Sequence, residues 1–276
     1  MTAVSIIKEL RSITGAGIMD CKKALKEANG DIKKSVQIIR NLGKVNIKRQ
    51  RNKSLEGLVS VKFSSSKAVI VEINSESDFV SRNQVFVDFV EEVSDTILKS
   101  QKNSDFLSFK LGNSDTVIER CNLLSSKFGE KINVRRVKTL SAGRMHGYNY
   151  RGKIGTIFGT NKDFINDPLD SIVRLIGSHI VASNPLSISE KDFPTNTLEE
   201  QKKLYLEQSL KIGKDQSMVK RIVEGRIKKF LNENTLLNQK FFSDQTKNVS
   251  QILKNYGVSI TEFSRFSVGE PILDME

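Results

Sequence analysis

The hydrophobic period of this chain changes near Glu56, and that change limits the folds open to it. Before it, apolar residues recur mainly at helical spacing; from Gly57 to Phe63 (GLVSVKF) they alternate as in a strand. A short polar turn, Ser64 to Lys67, separates this run from a second β-branched run, Ala68 to Asn74, which predicts a β-hairpin. We therefore expect an α+β protein that begins with a helical unit.

Three short helices are predicted in the first fifty residues, at about 3–13, 18–28 and 32–42, with glycine-containing turns between them. Five apolar residues of the first helix are expected to lie mostly on one stripe: Val4, Ile6, Ile7, Leu10 and Ile13. A bundle of this size buries only a small core. The basic stretch that follows, Leu42 to Ser54, is weakly patterned and is predicted to be a linker or a short helical extension.

Ile18 and Met19 stand at the entry to the second helix, beside Asp20 and the pair Lys22-Lys23. Apolar residues next to basic ones at such a position can dock on a helix of a partner. The alternative is that one of the two belongs to the core and that the lysines are merely solvated.

The remainder predicts two related subdomains lying side by side. Helices at about 85–101 and 114–128 and a strand over 132–139 follow the first hairpin, giving an antiparallel sheet covered on one face. A second hairpin (147–150 and 153–159), a helix over 172–182 and a strand over 263–269 repeat the pattern. An apolar seam over 196–231, interrupted at 213–215, predicts an antiparallel helical hairpin. The expected domains are 1–55, 56–140 and 141–276, with the hairpin inserted at about 195–232.

One junction, Glu72 to Arg82 (EINSESDFVSR), joins a predicted strand to a predicted helix. Ser-Glu-Ser-Asp is a cluster of turn and N-cap formers, and helical spacing of the apolar residues after it predicts a helix start near Ser81. Asp78 and Phe79 therefore lie at a rigid corner. The ring could be a core plug beside a capping carboxylate, or it could be a probe that enters a partner.

Motifs of catalytic chemistry are missing from the sequence. It holds no GxxxxGK[ST] phosphate loop, GxSxG, HExxH or Cys/His metal spacing, so we expect no enzyme, catalytic residue, metal or cofactor. His146 and His179 are isolated and are expected to be surface or hydrogen-bonded core histidines. Cys21 and Cys121 lie far apart without a CxxC, which fits reduced thiols.

The net charge of +12 predicts an acidic partner, which could be nucleic acid or an acidic protein. No apolar run reaches the roughly 20 residues of a membrane span, and the first residues do not form a signal peptide. We therefore expect a cytoplasmic protein.

Two segments, LRSITGAGIMDCKKAL (Leu10 to Leu25) and EINSESDFVSR, resemble the signature motifs of the bacterial elongation factor Ts family. The resemblance extends along essentially the whole chain and includes KINVRRV, HIVASNP, VEGRIKKF and FSRFSVGE in the order of the family. It implies a ubiquitin-associated-like (UBA-like) three-helix domain, a core of two subdomains with related sheets, and an inserted antiparallel helical hairpin.

The resemblance also implies a function: guanine-nucleotide exchange on elongation factor Tu, in its GDP-bound and nucleotide-free forms. In the family, an Asp-Phe pair enters the GTPase near its magnesium site and loosens Mg²⁺ and the phosphate loop, so that GDP leaves and GTP can bind. Carried onto this sequence, the wedge is Ser77, Asp78, Phe79 and Val80. Docking of the amino-terminal domain is carried onto Arg11, Ile18, Met19 and Lys22, where Arg11 could equally make an internal contact at a helix end. No nucleotide binding by the chain itself and no nucleic acid are expected, and a homodimer through the hairpin stays open.

Two departures from the family pattern concern possible contacts. Ser77 stands where the family usually has Thr, which keeps the capping hydroxyl and removes a methyl group. Tyr150-Arg151-Gly152 stand where a His followed by glycines is common, which puts any partner contact of that loop in doubt. Two other functional classes remain possible: a basic RNA- or ribosome-binding protein without exchange activity, and a helical adaptor for ubiquitin-like or helical ligands.

Overall fold

The computed structural model describes residues 3–39, 56–101, 105–112, 115–162, 171–210 and 216–272. Two of the first helices are α1 (Ala3–Thr14) and α2 (Ile18–Glu27), and residues 32–39 form α3 up to the end of the first described range. A glycine turn ends α2, because Gly30 has φ +85° and its N–H bonds to Leu25 O at 2.8 Å. The predicted linker, Leu42 to Ser54, lies outside the described residues.

The first sheet has the order β1 (Glu56–Phe63), β2 (Ala68–Ser75), β3 (Asn133–Leu140), and both pairings are antiparallel. Helices α4 (Asp78–Ser81), α5 (Gln84–Lys99) and α6 (Val117–Phe128) connect β2 to β3. One side of β2 packs with α5 and α6 in a core whose central members are Val69, Val71, Ile73, Phe86, Phe89, Val93 and Leu124. The predicted hairpin and its helical cover are therefore confirmed.

The second sheet has the order β4 (Arg144–Tyr150), β5 (Ile154–Thr160), β8 (Ile260–Ser267), again antiparallel. Helix α7 (Ser171–Ser183) packs on β4 and β5, and α10 (Val249–Tyr256) joins the same core. A small pair of strands, β6 (Lys240–Phe241) and β7 (Asp244–Asn248), was not predicted from the sequence.

The expectation that the first sheet is covered on one face is wrong, because the two sheets pack face to face. Ala68 and Ile70, on the side of β2 away from α5, share a core with residues of the second sheet: Met145, Ile157 and Phe266. Every residue of β2 is buried, as in a strand covered on both faces. A Cβ on Gly155 would lie 2.7 Å from Val61 Cγ2, so glycine permits this close approach of the sheets.

Helices α8 (Thr195–Leu210) and α9 (Gln216–Asn234) pack against each other. Arg226 Nη1 donates to Gln208 Oε1 at 3.0 Å, and its guanidinium lies 5.7 Å from the ring centre of Tyr205. The predicted interruption at 213–215 lies outside the described residues. The mixture of helices and antiparallel sheets confirms the α+β class, whereas the UBA-like and hairpin assignments and the domain limits stay predictions.

Candidate functional site

The junction after β2 contains two helices where the sequence predicted one. The helix predicted to start near Ser81 is α5, which starts at Gln84, and the separate turn α4, Asp78–Ser81, precedes it. Two N-caps cause this arrangement: Ser77 Oγ accepts from Val80 N–H at 3.5 Å, and Asn83 Oδ1 accepts from Val85 N–H at 3.0 Å. The corner is therefore a separate helical turn between β2 and α5.

Phe79 and Val80 are neighbours on this turn, but one is exposed and the other is buried. The Phe79 residue is 84% exposed, whereas Val80 is 6% exposed and belongs to the core under the first sheet. The interpretation of Phe79 as a core plug is therefore wrong, and Val80 fills that role. A phenylalanine displayed in this way is unusual, because most large aromatic side chains bury their surface.

Asp78 lies beside the ring, in the first turn of α4. Its Oδ2 is 3.0 Å from Arg82 Nη2, and its side chain is 41% exposed. Its carbonyl oxygen accepts from Arg82 N–H and from Ser81 Oγ, both at 3.0 Å. The carboxylate therefore remains available to a partner at the cost of one exposed ion pair, which is worth little on a protein surface.

Two glutamates join the corner to the connection between α6 and β3. Glu130 accepts from Ser77 through both carboxylate oxygens: Oε1 lies 2.6 Å from Oγ, and Oε2 lies 3.0 Å from the backbone N. In the reverse direction, Glu76 Oε1 accepts from Lys131 N–H at 3.0 Å. Neither contact was predicted from the sequence, because the two residues of each pair lie more than fifty positions apart and no local pattern pairs them.

Glu72 lies in β2, the strand that leads into the corner, and it is fully buried. Its carboxylate accepts from Arg135 Nη1 at 2.9 Å, Arg136 Nε at 2.6 Å, Asn74 Nδ2 at 3.1 Å and Gly269 N–H at 2.9 Å. Burial raises the pKa of this carboxyl group, but these donors outweigh burial and hold the pKa below its ordinary value. The ionised group ties β2 to β3 and to the chain that follows β8.

The second predicted surface lies at the junction of α1 and α2. Ile18 is 54% exposed and Met19 is 63% exposed, so the alternative that one of them is core is wrong. The core side of α2 is formed instead by Cys21, Ala24 and Leu25. Arg11 and Lys22 are also exposed.

Ile13 is one of the five apolar residues expected to lie mostly on one stripe of α1, and it is 57% exposed. It lies in the last turn of α1 and adds a third exposed apolar side chain to the same helix junction.

The loop that departs from the family pattern is held by internal contacts. Gly152 N–H donates to Asn149 Oδ1 at 2.8 Å, and Gly152 O accepts from Val59 N–H at 2.7 Å. The Arg151 guanidinium lies 5.4 Å from the ring centre of Tyr150, which is 47% exposed.

Cys121, His146 and His179 are held by burial or by internal hydrogen bonds. Burial raises the pKa of Cys121 to about 12, so it is not a thiolate at neutral pH. His179 is buried, which lowers its pKa, and it bonds to Gln239 Oε1 at 3.0 Å; His146 Nε2 lies 2.9 Å from Thr160 Oγ1. Across the described ranges, no three His, Cys, Asp or Glu residues are grouped to hold a metal, and no helix is long and apolar enough to cross a membrane.

The chain is similar to known proteins over most of its length. The family model described as "Elongation factor TS" matches residues 76–270. Elongation factor Ts of Halothermothrix orenii is 37% identical over 275 residues, which cover 96% of this chain and 92% of that protein. Elongation factor Ts of Clostridium perfringens strain SM101 is 37% identical over 286 residues (99% and 94%), and that of Hydrogenovibrio crunogenus is 34% identical over 274 residues (97% and 92%).

Proposed function

The chain belongs to the elongation factor Ts family, and from that premise we propose that it is a guanine-nucleotide exchange factor for elongation factor Tu. Membership makes it a translation elongation factor that acts in protein biosynthesis. In our proposal it binds elongation factor Tu in the cytoplasm, in the GDP-bound and nucleotide-free forms. It accelerates GDP release without making or breaking a covalent bond, so it is not an enzyme.

The observation that carries the proposal is the display of Phe79. A ring that is 84% exposed contributes little to the fold, yet it stands on a turn whose next residue, Val80, is buried. Inserting such a ring between helices of a partner would bury it, which is worth about 1.5–3 kcal/mol. That free energy is available to hold the partner in a distorted conformation.

The distortion acts on the phosphate site of the GTPase. Mg²⁺ and backbone N–H groups supply much of the hold on nucleotide phosphates. We propose that Phe79 displaces the partner helices with Asp78 beside it, while Ser77 and Val80 hold the turn, so that Mg²⁺ and the phosphate loop loosen together. By linkage, bound nucleotide then weakens the grip of this chain on elongation factor Tu by the same factor.

The amino-terminal surface has a different role in the proposal. Ile18 and Met19 supply apolar area, and Arg11 and Lys22 supply positive charge around it. Such a surface suits a helix of the partner that carries an apolar stripe with acidic flanks. It adds affinity and fixes orientation, whereas the corner performs the displacement.

A nucleotide-release assay tests the proposal. Elongation factor Tu loaded with fluorescent GDP is mixed with excess unlabelled nucleotide and increasing amounts of this protein. We expect release to accelerate and then reach a maximum rate, as for a saturable complex. The RNA-binding alternative predicts instead no acceleration at any concentration, together with binding to RNA that weakens steeply with salt.

A further inference from the structure

We propose that Glu130 is the positioning residue of the corner: its carboxylate fixes the direction of Phe79. This inference rests on the proposed exchange function and assigns to that site a residue outside the motif that carries the wedge. Glu130 lies in the two-residue connection between Gly129, which ends α6, and Ile132, which precedes β3.

The Glu130 carboxylate holds Ser77 in place. Both of its oxygens are used on one residue, since Oε1 accepts the Ser77 hydroxyl proton at 2.6 Å and Oε2 accepts Ser77 N–H at 3.0 Å. The pair of bonds fixes the position of Ser77 at the point where β2 has ended and α4 has not begun. Hydrogen bonds to a charged acceptor are stronger than those between neutral groups.

The direction of the Ser77 hydroxyl group also depends on Glu130. An ionised carboxylate can only accept, so the single proton of the hydroxyl must point at Glu130. The lone pairs of Oγ are then left for Val80 N–H, at 3.5 Å, which is the cap of α4. Glu130 therefore decides which way the cap faces.

Helix α4 is too short to set its own geometry. This helix has four residues, Asp78 to Ser81, and so short a helix does not form on its own. Its geometry must come from the residues that flank Phe79: the capping Ser77 before it, and Val80 and Ser81, which are buried after it. Phe79 lies between them and is held by backbone geometry, because its ring is too exposed to be fixed by packing.

Glu76 supplies a matched control. It spans the same two loops, but it accepts from Lys131 N–H at 3.0 Å and is not the acceptor that orients Ser77 Oγ. Glu76→Ala therefore removes a carboxylate contact between the loops, whereas Glu130→Ala removes the contacts that orient the cap. A general loosening of the loops would affect both variants alike.

The first measurement needs no partner. Hydrogen exchange is followed in peptides covering Ser77–Asn83, with a peptide over α10 as an internal reference. Glu130→Ala should accelerate exchange at the corner about 10-fold, the size expected for losing hydrogen bonds to a charged group, and Glu76→Ala less than about 3-fold. Equal protection of the corner in Glu130→Ala and the unsubstituted protein would overturn the proposal.

The second measurement is GDP release from elongation factor Tu over a range of exchange-factor concentrations. Glu130→Ala should lower the maximum rate about 10-fold and change the half-saturating concentration less than about 3-fold, because misplacing a working group by about 1 Å is costly while the docking surface is unchanged. In a Phe79→Ala background the same substitution should have almost no further effect. An undiminished effect there would mean that Glu130 does not act through the ring.

The two proposals fail separately. If Phe79→Ala accelerates GDP release from elongation factor Tu as much as the unsubstituted protein does, the wedge function is wrong. Hydrogen exchange of the corner amides then still decides whether Glu130 orders the turn. If Phe79→Ala is slow but Glu130→Ala is not, the wedge stands and Glu130 is not its positioning residue.

Discussion

The corner and the amino-terminal helix junction both expose apolar side chains, but they are mounted differently. Phe79 stands next to Val80, which belongs to the large core under the first sheet, and β2 behind it is buried on both faces. Ile18 and Met19 stand on a bundle whose described buried core is small: Leu10, Ala16, Cys21, Ala24, Leu25 and Ile39. A side chain anchored in a large core can displace the helices of a partner without yielding itself. Side chains on a small bundle can add contact area to the complex.

The largest effect we predict contrasts two phenylalanines of the same segment. Phe86 is fully buried, so Phe86→Ala should cost about 3–5 kcal/mol in the free energy of unfolding. Phe79→Ala should change it by less than about 0.5 kcal/mol, as is usual at exposed positions. Urea denaturation of both variants checks this, and comparable losses would mean that the corner ring is part of the fold.

A smaller effect is expected at the helix junction. Replacing Ile18 and Met19 together by Ala should raise the half-saturating concentration for GDP release on the order of 10-fold, because apolar contact area is lost. The maximum rate should stay within about 2-fold, since the corner is untouched. A lowered maximum rate with unchanged half-saturation would reverse the roles of the two regions. Removal of residues 1–50 should act in the same direction without unfolding the sheets.

The smallest effect concerns acid. The folded-state pKa of Glu72 lies below its ordinary value of 4.5, so its stabilising contribution is complete above that value and is lost as pH falls through the folded-state pKa. The urea concentration at which half of the unsubstituted protein is unfolded should therefore fall when the pH is lowered below about 4.5. The difference in stability between the unsubstituted protein and Glu72→Gln should shrink over the same pH range.

The comparison predicts where this acid effect is seen. Among the described residues of the bundle, the buried polar side chains are Thr14 and Ser35, which carry no charge. A probe in the sheets should report the Glu72 contribution, and one in the bundle should not. An advantage of Glu72 that persists unchanged to pH 3 would contradict the sign of its pKa shift.

Sequence alone predicted most of the longer elements, because their signals are local, but it missed β6, β7 and α10. The alternation of Gly57 to Phe63 and the Asn29-Gly30 turn depend on neighbouring residues, and both were found. The packing of the two sheets was missed, since an apolar strand such as Ala68 to Ile73 does not say what covers its second face.

The candidate site divides in the same way. The motif located Phe79, but whether the ring is buried or displayed depends on the direction of α4, which capping by Ser77 sets. Glu130 could not be predicted as its anchor, because the contact spans 53 residues and joins two loops. Ile13 and Ile18 likewise needed the three-dimensional bundle to be recognised as exposed.

The maximum rate of GDP release from elongation factor Tu, measured with saturating Phe79→Ala, tests the central claim most directly. Val85→Ala is the matched control, because Val85 is an exposed apolar residue six positions further on, 40% exposed. The account predicts a maximum rate about 10- to 100-fold lower for Phe79→Ala, with Val85→Ala within about 3-fold of the unsubstituted protein. The account would be contradicted if GDP left elongation factor Tu at the same maximum rate with Phe79→Ala as with the unsubstituted protein.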